Sequence, residues 1–192
     1  MGNLRMNPTP EFTMKRFVIV FLSLGCLVAT ATAAVTVTPA SRQLEPILQK
    51  KEIKVLVTDS GLGGLSVAAD LEKKALAHKS FRSVEIIFCN ALPEANCGYN
   101  DFKTPQRKAE VFSAALQGMV NRYDPDVVLI ACNTLSVVYL EMEISRTLKI
   151  PVVGIIDLGV EMIRERLASD PAESAVIFGT ETTISANAHK TK

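Results

Sequence analysis

The sequence predicts an α/β protein: a parallel β-sheet flanked by helices. Three observations carry this. Short apolar, β-branched runs recur along the chain. Longer helical patterns alternate with them. The runs are apolar on both faces, as strands are when helices cover both sides of a parallel sheet.

The elements follow in order. Residues 53–58 ("IKVLVT") read as a strand, and 61–76 ("GLGGLSVAADLEKKAL") as a turn leading into an amphipathic helix. Residues 84–88 ("VEIIF") form the next strand. Thr104 is a good helix cap, followed by Pro105 at the first helical position. That helix carries Val111, Phe112, Ala115, Leu116, Met119 and Val120 on one face. A strand is predicted at 126–131, a helix at 135–148, a strand at 151–156, a helix at 159–167 and a fifth strand at 174–179 ("SAVIFG"). Residues 34–50 are rich in Thr, Pro and Gln with little periodicity and read as a linker with a frayed first turn. Residues 51–150 then make one α/β domain, and 151–192 begin a second, incomplete α/β half.

The N-terminal segment reads as processing signal rather than fold. Residues 1–13 precede the natural-looking start at Met14 and read as a leader or misassigned start. Met14-Lys15-Arg16, the apolar run "FVIVFLSLGCLV" and Ala31-Thr32-Ala33 fit a secretory signal peptide over 14–33, with no stable membrane span after processing. Lipoprotein processing at Cys26 is the competing reading. The localisation expected is exported, or cytoplasmic if the signal does not function. The mature chain keeps Cys89, Cys97 and Cys132, an odd number and no disulfide framework.

The chain has 192 residues, 48% hydrophobic and 21% charged, with formal net charge +1. This suits one full core or slightly more. Near-neutral charge without a long basic cluster argues against nucleic acid as a partner. His78 and His189 lack metal-ligand spacing with the cysteines, so no metal site is expected.

Ligands of open parallel sheets bind beyond the carboxyl ends of the strands. Those ends carry Thr58-Asp59-Ser60-Gly61, Asn90, Cys132-Asn133-Thr134, Asp157 and Gly179-Thr180. Each residue type also caps helices and so has a plain structural use. Gathered on one rim, they favour a small-molecule site. In "DSGLGGLS" the glycines allow a tight turn and present amides at a helix start, which suits a phosphate or a carboxylate. Cys132 is either a buried filler or a thiolate base, and its place before a helix is expected to lower its pKa. Cys89 reads as core, and Cys97 lies in a polar loop.

Taken together, "TDSGLGGLSV" (58–67), "GYN" (98–100), "ACNTLS" (131–136), "IPVVGIID" (150–157) and "GTETTI" (179–184) resemble the aspartate/glutamate racemase superfamily, and glutamate racemase most closely. The resemblance implies the first half, and the start of the second, of a two-domain fold. It also implies a cofactor-independent racemase acting on a small amino acid, glutamate or aspartate. Two cysteines would move the Cα proton from opposite faces. Cys132 would be the first base, with Asp59 assisting proton transfer and Ser60 beside it. Asn133, Thr134 and the backbone around Gly98, Tyr99 and Asn100 would hold the substrate carboxylate and amino group. Thr180 and Thr183 match the later GT-x-x-T element. The sequence departs from the family where Gly98-Tyr99-Asn100 replaces proline-tyrosine-glycine. The second cysteine would lie beyond Lys192, so the chain is expected to be incomplete as a racemase. A non-catalytic amino-acid-binding or interaction protein on the same scaffold is the alternative, a single-cysteine lyase another, and a homodimer is open.

Overall fold

The structure is a computed structural model that describes residues 39–77, 81–170 and 172–191. The leader, the signal segment with Cys26, and His78 lie outside the described residues. In chain order the elements are α1 (Pro39–Leu48), β1 (Glu52–Asp59), α2 (Gly64–Ala77), β2 (Ser83–Asn90), a 3-10 turn (Tyr99–Asp101), α3 (Pro105–Tyr123), β3 (Val127–Ile130), α4 (Asn133–Leu140), α5 (Ile144–Thr147), β4 (Val152–Gly154), α6 (Ile155–Ser169), α7 (Glu181–Ser185) and α8 (Ala188–Thr191).

The four strands form one parallel sheet in the order β2-β1-β3-β4. Alternate residues feed its two faces, as the pleat dictates. Leu56, Val128 and Ile130 pack with Phe112 and Leu116 of α3 and with Leu135 and Val138 of α4. On the opposite face, Val55, Val57 and Val127 pack with Ile47 of α1 and Ala68 of α2. Both faces of the central strands are therefore covered, which explains why the sequence shows no polar alternation there. A smaller cluster of Val137, Ile156, Val160 and Ala188 joins α4, α6 and α8.

Local signals act where the sequence places them. Thr104 caps α3 by accepting a hydrogen bond from the Arg107 N–H at 3.2 Å, and Pro105 opens the helix. The helix ends at Asp124, whose backbone is left-handed (φ 46°) and whose N–H bonds to the Val120 carbonyl.

Four expectations need correction. The segment 34–50 is not all linker, because Pro39–Leu48 is helical. Leu44 and Ile47, three apart, give it a face that buries against the sheet. The helix expected over 135–148 starts earlier and is split into α4 and α5 by a break at 141–143. The strand expected over 151–156 is shortened to Val152–Gly154, because α6 begins at Ile155, whose N–H donates to Ser136 Oγ at 3.1 Å. The expected fifth strand, 174–179, is not formed as a strand; Ala175 alone makes a single β-bridge. Its alternating apolar residues look like a strand in sequence, yet Val176 and Phe178 are 42% and 77% exposed. Among the described residues no helix is long and apolar enough to cross a membrane.

Core and periphery should separate cleanly in urea unfolding. Truncating the fully buried Phe112 to Ala should cost about 3–5 kcal/mol. Phe178→Ser, which would be severe in a packed strand, should stay within about 0.5 kcal/mol of wild type.

Candidate active site

The strand order creates a reversal between β1 and β3. From β1 the chain moves outward through α2 to β2, then returns through α3 to β3 on the other side of β1. Such a reversal leaves a crevice at the carboxyl ends of the two strands. The register pairs Thr58 with Ile130, so the residues just beyond, Asp59-Ser60 and Cys132, end up as neighbours.

Ser60 Oγ lies 3.2 Å from Cys132 Sγ. The Leu135 N–H donates to the same sulfur at 3.5 Å, which makes Cys132 the N-cap of α4. Burial pushes the Cys132 thiol above its ordinary value. The hydrogen bonds from Ser60 and Leu135 pull it down, and the Asp59 charge adds to the rise. The helix start does lower this pKa, through the Leu135 amide, but the net shift is upward: two donors do not offset desolvation and a neighbouring carboxylate.

Asp59 is 8% exposed, and its Oδ2 accepts the Gly64 N–H at 2.5 Å. The N-terminus of α2 is thus satisfied by the protein's own carboxylate, and the anion expected from outside is already built in. The glycine requirement is also different from a turn requirement, since no described glycine has positive φ. It is closeness: a Cβ on Gly64 would meet Asp59 Cβ at 2.8 Å and Ala131 Cβ at 3.0 Å.

Thr134, Thr180 and Thr183 form a hydroxyl cluster. Thr134 Oγ1 is 2.9 Å from Thr180 Oγ1 and 3.4 Å from Thr183 Oγ1, and the latter two are 3.0 Å apart. Thr180 caps α7 by accepting from the Thr183 N–H. The cluster pins the segment after 174–179 onto the start of α4. Asn133 Oδ1 and Thr58 Oγ1 are buried and find no hydrogen-bond partner among the described residues. An orphaned buried acceptor is costly and suits an incoming donor.

The other expected residues divide. Gly98 opens the 3-10 turn, its N–H donating to Asp101 Oδ2 at 2.6 Å. The Tyr99 side chain belongs to the core: its hydroxyl donates to the Ala91 carbonyl at 3.0 Å, and its ring meets Phe102 and Phe112 edge-on. Burial raises the phenol's pKa, and the charge of Cys132 adds to the rise, so this turn lies beside the thiol. Asn100 Oδ1 accepts from Thr182 Oγ1 at 2.8 Å. Asn90 turns to cap its own loop through the Leu92 N–H, and Asp157 lies in the first turn of α6. Cys89 packs against the main core, where burial raises its pKa. His189 sits on α8, its pKa lowered by burial. Among the described residues no three His, Cys, Asp or Glu side chains are grouped to hold a metal.

Sequence reasoning missed the Leu135 amide and a second tier, Lys108 and Thr182. Lys108 Nζ donates to Thr182 Oγ1 at 2.6 Å. Neither carries a local signal, because 74 positions separate the pair.

No protein-family model matches the chain. The glutamate racemases of Staphylococcus aureus strains JH9 and Newman are each 28% identical to it over 135 residues, covering 70% of this chain and 46% of theirs. The chain therefore spans about half the length of the curated relatives it matches. The solved glutamate racemase from Aquifex pyrophilus shares its fold, with a TM-score of 0.56 at 23% identity, over 72% of this chain and 50% of that one. The chain is glutamate racemase-like in sequence and fold.

Iodoacetamide labelling of Cys132 against pH should show a midpoint above that of an unhindered thiol. Ser60→Ala removes a donor to the thiolate and should move the midpoint higher. Asp59→Asn removes a negative charge and should move it lower.

Proposed function

We propose that this chain is an amino-acid racemase-like protein in which Cys132, as thiolate, abstracts the Cα proton of glutamate or aspartate without a cofactor. The observation that carries the reading is the Ser60–Cys132 contact, with Asp59 alongside, at the strand reversal of a chain similar to glutamate racemases. A Cα–H beside an ionised carboxylate is weakly acidic, so the site must supply an oriented base and fixed donors for the developing charge.

The roles in this reading are these. Burial favours the protonated form of Cys132. An arriving substrate ammonium brings positive charge, favours thiolate and offers its N–H groups to the orphaned Asn133 Oδ1. Ser60 Oγ and the Leu135 amide hold the sulfur in place. The thiol proton leaves to solvent, and Asp59, beside the sulfur, assists the transfer. The substrate carboxylate lies against the Thr134, Thr180 and Thr183 hydroxyls and the backbone at Gly98-Tyr99-Asn100. The thiolate then takes the Cα proton, and the electron pair left on carbon delocalises into the carboxylate. Return of a proton to the same face exchanges the Cα hydrogen; return to the opposite face inverts the centre. In this reading the segment 14–33 directs export.

A second reading, a non-catalytic amino-acid-binding or interaction protein on the same scaffold, is favoured by the raised thiol pKa and by apolar side chains exposed around the rim. Leu62, Leu65, Leu92, Phe178 and Ile184 are all open to solvent there.

Proton NMR in D2O with L- and D-glutamate and L- and D-aspartate separates the two. The enzyme reading expects loss of the Cα–H signal, slowed at least about a hundredfold by Cys132→Ser. Exchange indifferent to Cys132→Ser would remove the proposed base. Calorimetric binding without any exchange would favour the second reading.

A further inference from the structure

Ser136 puts a hydroxyl where a helix has no use for one. It lies one turn into α4 and is 4% exposed, a place where serine is a poor helix former and an unsatisfied oxygen is costly. Its partners come from outside the helix. Ser136 Oγ donates to the Ile130 carbonyl at 3.4 Å and accepts the Ile155 N–H at 3.1 Å.

Those two groups are the next rung of the sheet. In the β3–β4 register Val128 pairs with Val152, and the Val128 N–H bonds to the Pro151 carbonyl. Ile130 pairs with Gly154, so the ladder two residues on would take the Ile155 N–H directly to the Ile130 carbonyl. The Ser136 hydroxyl is inserted into that rung instead. The sheet stops at Gly154, and α6 starts one residue later with its first N–H already held. The insertion also demands glycine at 154, because a Cβ there would meet Ser136 Oγ at 2.8 Å and Ser136 Cβ at 2.9 Å.

The same residue grips the turn that carries the thiol. Its N–H bonds to the Cys132 carbonyl at 2.9 Å, while its hydroxyl holds the carbonyl of Ile130. Residues 130–132 are thus held at both ends by one residue of α4, and through it by the start of α6. We infer that Ser136 is a positioning residue for Cys132: its hydroxyl, inserted between β3 and β4, ties the thiol-bearing turn to the N-terminus of α6. The consequence for proton transfer rests on the reading above of Cys132 as the base; the placement of the sulfur does not.

Iodoacetamide titration of the full chain, followed by mass spectrometry of the Cys132 peptide, tests the placement without any substrate. Circular dichroism checks that each variant folds. Ser136→Ala should lower the labelling midpoint by about half a pH unit or more, because a loosened turn admits water to a sulfur whose pKa is raised first by burial. Ser136→Thr keeps the hydroxyl and should stay with wild type. Gly154→Ala pushes on that hydroxyl and should move the midpoint as Ser136→Ala does, which decides the matter should Ser136→Ala not fold. Ile47→Ala, a core truncation on the far face of the sheet, should lower stability and leave the midpoint in place. In Cα–H exchange, Ser136→Ala should cut kcat about tenfold and change KM less than about twofold. A midpoint unmoved by Ser136→Ala, or moved equally by Ile47→Ala, would overturn the positioning role. The midpoint shift without any exchange in the wild-type chain would overturn the reading of Cys132 as base and leave the positioning role standing.

Discussion

The parallel pairing of β1 with β3 is the constraint on which the site depends. Four residue pairs, Val55 with Val127 through Thr58 with Ile130, align two segments more than 70 positions apart in sequence. The Ala131 N–H continues the ladder to the Thr58 carbonyl at 2.8 Å, and the Ala91 N–H closes on the Asp59 carbonyl at 2.7 Å. With the strand ends held this way, Ser60 and Cys132 face each other across the crevice. A one-residue slip would turn every side chain of the strand to the other face. The two apolar clusters, one on each side of the sheet, forbid that slip.

The same packing sets the electrostatics. Closing α4 onto the sheet buries Cys132, and closing α2 onto β1 buries Asp59 nearby. Asp59 is compensated by the Gly64 amide and the α2 terminus, whereas the thiol has only Ser60 and Leu135. For the thiol, desolvation outweighs those two donors, and it is accordingly held with its pKa raised.

The segment leading into α7 shows how a linear pattern misleads. Its alternation resembles a fifth strand, but the element it precedes is held by polar contacts: Thr180 and Thr183 to Thr134, and Thr182 to Lys108 and Asn100. Those hydroxyl contacts seat the chain over the carboxyl edge. Val176 and Phe178 are left at the surface, while Ala175 and Ile177 are partly covered.

By itself the sequence determined the class of fold, the α3 cap at Thr104-Pro105, the buried face of that helix and the gathering of polar residues at strand ends. These depend on periodicity and on local hydrogen bonding, which neighbouring residues specify. It also carried the likeness to glutamate racemases, legible in "DSGLGG" and "ACNT". Only the tertiary structure decided that Asp59 fills the α2 terminus, that Tyr99 is core, that the Cys132 pKa rises, and that Lys108 joins Thr182. Each of these is a balance between burial and partners contributed by distant segments. No local pattern encodes how much water a side chain loses when the sheet and its helices close.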